Sequence, residues 1–206
     1  MLIVGLTGGI ACGKTTVAQM LVDKGAILLD ADIIAREITR PGKPAWHEIV
    51  LWLGDRVLKE DRSLDRVQIA ALVFSDQSAL MRLNAITHPR IIEHFGVKSR
   101  ELAMGFPDAI QIWDIPLLFE INMHREVDLV LVAAADKGIQ INRLKVRDGL
   151  LPEEALRRIE SQMDMQEKIR RADYVVYNNS TIAFLQEQVD QVWDQLLKTM
   201  GNIKNN

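Results

Sequence analysis

With 206 residues, 48% of them hydrophobic and 26% charged, the chain has the profile of one globular unit, long enough to bury a core and still carry an insertion or a lid. A formal net charge of −3 speaks against broad attraction to nucleic acid or to an anionic membrane, and no stretch approaches the ~18 to 20 apolar residues of a membrane span. The single cysteine, Cys12, excludes an intramolecular disulfide and fits a reducing compartment, and no basic segment precedes the apolar residues 2–6, so a cytoplasmic protein is expected.

Residues 2–6 are short, continuous and branched, the pattern of a strand buried on both faces. A glycine-rich turn follows, then a helical pattern in which Val17, Met20 and Leu21 share a face, stopped by Gly25. Residues 26–29 read as the next buried strand, ending at Asp30; residues 109–115, 129–133 and 174–177 complete a set of five. Strands separated by helices predict an α/β fold, a parallel sheet covered on both faces. About eighty residues separate the second strand from the third, too many for one crossover. Residues 38–106 are therefore expected to form a helical insertion, with a break between two helices at Thr87-His88-Pro89. Residues 137–172 form a second, charged helical insertion, with Pro152 followed by Glu153 and Glu154 at a helix start. The core is then 1–37, 107–136 and 173–200, closed by an amphipathic helix carrying Leu185, Val189, Val192 and Leu196, with an Asn-rich frayed tail.

The strand-to-helix turn Gly8-x4-Gly13-Lys14-Thr15 is the context in which a phosphate-binding loop works. Its glycines allow consecutive backbone N–H groups to face one concavity, and the helix N-terminus adds positive partial charge. Lys14 supplies a full charge for the β- and γ-phosphates of ATP, and the Thr15 hydroxyl is placed to ligate Mg²⁺. Cys12 within this loop has two readings: a small residue where only backbone matters, or a thiol activated by the helix N-terminus. Asp30-Ala31-Asp32 sits at the carboxyl end of the second strand, the edge that faces ligands in open α/β sheets. Asp30 has an alternative as a helix cap; Asp32 is the better general base, and Asp114 is a candidate to hold magnesium through water. Basic residues crowd 137–172, most of them on a solvated face, but Arg143 and Arg147 share a helical face and are candidates to meet nucleotide phosphate. No histidine has metal-ligand spacing; His88 reads first as a packing or capping residue.

Taken together these segments resemble the dephospho-CoA kinase family from Leu6 to about Asn179. The matching pieces are Leu6-Thr7-Gly8-Gly9-Ile10 with Gly13-Lys14-Thr15, Asp30-Ala31-Asp32-Ile33-Ile34-Ala35-Arg36, Leu83-Asn84, His88-Pro89, and Asp114-Ile115-Pro116-Leu117-Leu118-Phe119-Glu120. Arg143, Arg147-Asp148, Arg158 with Gln162, Lys168, Ala172-Asp173 and Asn178 continue the series. The loop alone is generic; this company in this order is specific. Two mild departures stand in the loop, Ala11-Cys12 where Gly-Ser is common and Thr15 for a frequent Ser.

The resemblance implies a P-loop kinase with a nucleotide-binding core, a CoA-binding helical region (38–106) and a lid (137–172), phosphorylating the ribose 3′-hydroxyl of dephospho-CoA with ATP and Mg²⁺. It implies Asp32 as base and Lys14 and Arg143 as further catalytic groups. Ala11, Cys12, Gly13, Thr15, Thr16, Arg147 and Asn178 would join Lys14 and Arg143 around ATP. Thr7, His88, Leu117 and Glu120 would join Asp32 near the acceptor. The partner expected is the small-molecule acceptor alone, for a monomer or weak homo-oligomer. A nucleoside monophosphate kinase is the nearest rival. A GTPase switch lacks support, since neither Asp-x-x-Gly nor Asn-Lys-x-Asp occurs.

Overall fold

The computed structural model of the chain describes residues 1–74 and 76–204, so the end of the Asn-rich tail, residues 205–206, lies outside the described residues. In chain order the first elements are β1 (Leu2–Gly8), α1 (Lys14–Asp23), β2 (Ile27–Asp30), α2 (Ala31–Ile38), α3 (Pro44–Leu53), α4 (Arg66–Phe74) and α5 (Gln77–Gly105). They continue with β3 (Ile110–Asp114), β4 (Leu129–Ala134), α6 (Lys137–Asp148), α7 (Pro152–Glu160), α8 (Met165–Arg170), β5 (Tyr174–Tyr177) and α9 (Ile182–Lys204). Two compact units result: Met1–Asp30 with Leu102–Asn206, and Ala31–Glu101.

The first unit is built on the expected five-stranded parallel sheet, in the order β2-β3-β1-β4-β5. The glycine-rich strand β1 is central, with Leu6 opposite Asp114 on one side and Leu131 on the other. That register brings the carboxyl ends of β1, β3 and β4 to one edge, where open α/β sheets bind ligands. Leu2, Val4, Leu6, Ile112, Leu131 and Val176 are buried, as continuous apolar strands between helical layers require. Strand β2 departs from the expectation of burial on both faces: it has one neighbour at the sheet edge, and Leu28 is 36% exposed beside Leu29 at 8%. The expected apolar faces are in place. Val17, Met20 and Leu21 of α1 and Leu185, Val189, Val192 and Leu196 of α9 all enter the same core. Each full burial of such an aliphatic side chain is worth about 1.5–3 kcal/mol. Helix α7 starts as its sequence dictates, with Pro152 in its first turn and Glu154 accepting the Leu151 N–H at 2.9 Å.

The second unit packs Ala45, Trp46, Ile49, Val57, Leu64, Ile69, Val73 and Ile86 into a core of its own. The Trp46 indole N–H is satisfied by the Arg62 carbonyl at 2.9 Å. The break expected at Thr87-His88-Pro89 does not occur: α5 runs through it as one helix of 29 residues. Pro89 removes one backbone donor, at a cost of about 3 kcal/mol in a helix interior. Ile86, Ile91 and Phe95 are all buried, so packing holds the helix together on both sides of the proline. Neighbouring carbonyls find side-chain donors: Thr87 Oγ1 donates to Leu83 (2.9 Å) and Arg90 Nη1 to Ile86 (2.5 Å).

Candidate active site

Strand β1 runs straight into the phosphate loop. Gly8 lies so close to β4 that a Cβ there would stand 2.5 Å from the Ala133 carbonyl oxygen. The loop then turns through left-handed Ala11 (φ 59°) and Gly13 (φ 86°) before α1 begins. A Cβ on Gly13 would meet Asn178 Nδ2 at 2.1 Å, so both conformation and space demand glycine.

Three consecutive loop carbonyls are held from outside. Gln140 Nε2 donates to Ile10 (2.7 Å), Arg143 Nη1 to Ala11 (3.1 Å) and Asn178 Nδ2 to Cys12 (3.0 Å). A trans peptide plane sets each carbonyl opposite the next residue's N–H. The tethers on Ile10 and Cys12 therefore turn the N–H groups of Ala11 and Gly13 away from the side chains that hold the loop, toward the side an anion would occupy. Arg143 also donates through Nη2 to the Asn178 carbonyl (2.9 Å) and Oδ1 (3.1 Å), and the Asn178 N–H bonds Ala134 at 2.8 Å. Helix α6, the loop after β5 and the phosphate loop thus form one braced assembly. Gln162 accepts the Ile10 N–H at 2.9 Å, which adds the α7–α8 connection to it.

At the mouth of the loop Lys14 pairs with Asp114 at the end of β3, both largely buried. Thr15 stands exposed and Thr16 half-buried in the first turn of α1. Cys12 is fully buried, and burial pushes its thiol above the usual range, outweighing backbone hydrogen bonds and the charges of Arg143 and Lys168. Both effects favour the reading of Cys12 as a small packed residue over the activated-thiol reading.

Arg143 and Arg147 have different partners despite their spacing. Arg143 faces the loop; Arg147 forks onto Asp148 (Nε to Oδ1 2.8 Å, Nη2 to Oδ2 2.9 Å) and is mostly exposed. Thr7 Oγ1 donates to the Pro116 carbonyl at 2.9 Å, and Leu117 is 40% exposed. Lys168, read from sequence with the solvated basic residues, is fully buried instead. Its Nζ meets Glu120 Oε1 at 2.8 Å and the Pro116 carbonyl at 3.3 Å, while the Met163 N–H reaches the same Glu120 oxygen at 3.1 Å. The signal for this was Glu120 itself, an acid closing the apolar run Leu117-Leu118-Phe119, which needs a cation once covered. A cleft of about 530 Å³ opens beside the loop, lined among others by Gly9, Gln140, Gln162, Met163, Met165 and Tyr177.

Asp32 and His88 belong to the second unit. Asp32 is exposed in the first turn of α2, and His88 is partly buried in α5, where burial holds its imidazole below the usual range.

A family model described as dephospho-CoA kinase matches residues 2–183. A dephospho-CoA kinase of Syntrophus aciditrophicus is 44% identical over 198 residues, covering 96% of this chain and 84% of that one. A crystal structure from Thermus thermophilus superposes with a TM-score of 0.79 at 32% identity, covering 95% of this chain and 97% of the other. A dephospho-CoA kinase from Campylobacter jejuni superposes with a TM-score of 0.71 at 26% identity, covering 96% and 98%.

Proposed function

Because the chain belongs to the dephospho-CoA kinase family, we propose that it transfers the γ-phosphoryl group of ATP to the ribose 3′-hydroxyl of dephospho-CoA, giving coenzyme A and ADP. The observation that carries this reading is the phosphate loop with its three tethered carbonyls and Lys14 at the mouth. In P-loop phosphoryl transfer the protein mainly positions the reactants and stabilises charge.

Asp32 is the general base. Its carboxylate takes the proton of the 3′-hydroxyl, that oxygen bonds to the γ-phosphorus, and the bond from phosphorus to the ADP oxygen breaks. Lys14 holds the β- and γ-phosphates, and Arg143 stabilises charge on them while bracing the loop. The backbone of Ala11, Cys12 and Gly13, with Thr15 and Thr16, surrounds the phosphates. Arg147 and Asn178 complete the ATP site, Arg147 after leaving Asp148. Thr7, His88, Leu117 and Glu120 lie along the acceptor. Residues 38–106 serve as the acceptor-binding part and 137–172 as the lid.

The residues at the loop fit a magnesium ion. The Thr15 hydroxyl and the Asp114 carboxylate are hard oxygen donors beside the phosphate site. Mg²⁺ keeps several waters and takes phosphate oxygens as ligands, so one or two protein oxygens are enough to hold it. When bound, Mg²⁺ neutralises charge on the β- and γ-phosphates. The protein acts in the cytoplasm as a monomer or weak homo-oligomer, with no nucleic-acid partner.

An acceptor panel tests the assignment. With ATP and Mg²⁺, dephospho-CoA should be phosphorylated at a kcat/KM at least a hundredfold above AMP, thymidylate or shikimate. Preference for one of the latter would move the enzyme to another class of small-molecule kinase.

A further inference from the structure

Both backbone polar groups of Ile10, early in the phosphate loop, are held by glutamines that arrive from residues 137–172. Gln140 Nε2, on α6, donates to the Ile10 carbonyl at 2.7 Å, and the Ile10 N–H donates to Gln162 Oε1 at 2.9 Å. Gln140 is buried, and Gln162 is half-buried in the connection between α7 and α8. A backbone donor and acceptor drawn away from bulk water need partners, and here a side-chain amide supplies each.

The α7–α8 connection fits closely against the loop. A Cβ on Gly9 would stand 2.7 Å from Met165 Cε and 2.8 Å from Gln140 Nε2. Gly9, unlike Gly13, has no positive φ, so the approach of these two side chains, rather than backbone conformation, calls for glycine there. Gln162 is itself fixed from behind. The N–H of Met163, the next residue, donates to Glu120 Oε1 at 3.1 Å, and Glu120 is paired with the buried Lys168 at 2.8 Å. Asp164 caps α8, its Oδ1 accepting the Gln166 N–H at 2.9 Å. A continuous line of bonds therefore runs from Ile10 through Gln162 and Met163 to Glu120, and Lys168 extends it to the Pro116 carbonyl at 3.3 Å. In the proposed reaction one end of that line holds the phosphoryl donor and the other lies along the acceptor.

We propose that Gln162 is a positioning residue for phosphoryl transfer, its side-chain carbonyl holding the start of the phosphate loop at a fixed distance from Glu120. The proposal rests on the reading of the chain as an ATP-dependent kinase. This role separates from nucleotide binding, because Arg143 and Asn178 hold the Ala11 and Cys12 carbonyls independently of Gln162. Losing the Gln162 contact leaves those tethers and Lys14 in place, so ATP still binds. What relaxes is the alignment of donor and acceptor, on which transfer depends steeply. An interaction of that kind shows in kcat rather than in KM.

The test combines amide hydrogen exchange with kinetics on the full chain. Gln162→Met keeps the length of the side chain without its acceptor oxygen, and Gln162→Glu keeps an acceptor. Exchange of the Ile10 amide, read by NMR, should speed up at least about tenfold in Gln162→Met and stay near the wild-type rate in Gln162→Glu. With ATP, Mg²⁺ and dephospho-CoA, kcat of Gln162→Met should fall about tenfold, the scale of one lost hydrogen bond, with KM for ATP within twofold. Gln162→Glu should stay within about threefold of wild type in kcat, the rescue expected if the acceptor oxygen is what matters. Gln166→Ala, which removes an exposed amide four residues on, should match wild type throughout.

Equal kcat for wild type and Gln162→Met would overturn the positioning role while leaving the activity standing. So would a raised KM for ATP at unchanged kcat, which would make Gln162 a nucleotide contact, or a loss in Gln162→Glu as large as in Gln162→Met. A wild type that phosphorylates another acceptor and leaves dephospho-CoA untouched would overturn the acceptor assignment alone, and the same kcat comparison on that acceptor would then decide the role of Gln162. A wild type that transfers phosphate from ATP to none would overturn both.

Discussion

Arg143 spends both terminal nitrogens on the loop and on Asn178, so its loss should loosen the nest before it touches the chemistry. Arg143→Ala is expected to weaken ATP binding and lower kcat together, by about tenfold or more each, since hydrogen bonds from a charged group are worth ~1.5–3 kcal/mol. Arg143→Lys should not restore activity, because an ammonium cannot span the same acceptors. A variant altering kcat alone would mean the bracing is incidental. Asp32→Asn should cost ~10²-fold or more in kcat at unchanged ATP affinity, the scale of a positioned base; full turnover would remove Asp32 from the mechanism. Cys12 gives a converse expectation: fully buried, it should alkylate more slowly than free cysteine in the native protein and rapidly after unfolding. Rapid native labelling, blocked by ATP, would restore the reactive reading.

Elements supply predictions about stability. The Lys168–Glu120 pair joins α8 to the segment after β3, and Glu120 Oε2 is buried with no hydrogen-bond partner among the described residues. Removing one partner of a buried pair strands the other charge, so Glu120→Gln should destabilise the fold by about 3 kcal/mol, read as a lowered denaturation midpoint. A loss under about 1 kcal/mol would show that Lys168 finds water. In the second unit α2 is tied to α5 through Glu37, whose carboxyl is held below its ordinary range by the Lys98 hydrogen bond first and by His94 after it. A depressed folded-state pKa gives stability that is present above the ordinary glutamate range and lost as pH falls through the depressed one. The Tm difference between wild type and Glu37→Gln should accordingly shrink on acidification; a difference independent of pH would assign it to packing. Elements also mark where sequence reading stops. Continuous apolar runs exposed β1, β3, β4 and β5, and helical spacing exposed the buried faces of α1 and α9. Pro89 misled because local propensity favours a break while the burial of Ile86, Ile91 and Phe95 favours continuity, and tertiary packing decided. Lys168 misled because a lysine in a basic run looks solvated until its acid partner is located in space.

Across the whole molecule the strand, turn and helix of the phosphate loop were legible because they are contiguous in sequence, whereas the close approaches of Gly8 to Ala133 and of Gly13 to Asn178 were not. Its bracing was not, because Gln140, Arg143 and Asn178 arrive from more than a hundred residues away. Nor was the difference in partners between Arg143 and Arg147, which share spacing. The family match covers residues 2–183 and so takes in all of these pieces of the proposed catalytic account. That account is tested most directly by coenzyme A formation from dephospho-CoA and ATP by the purified protein, followed over time for wild type and Lys14→Ala. It predicts ATP-dependent appearance of the 3′-phosphorylated product with wild type and a loss of at least ~10²-fold in kcat/KM with the variant. No product from wild type, or equal rates from both proteins, would contradict it.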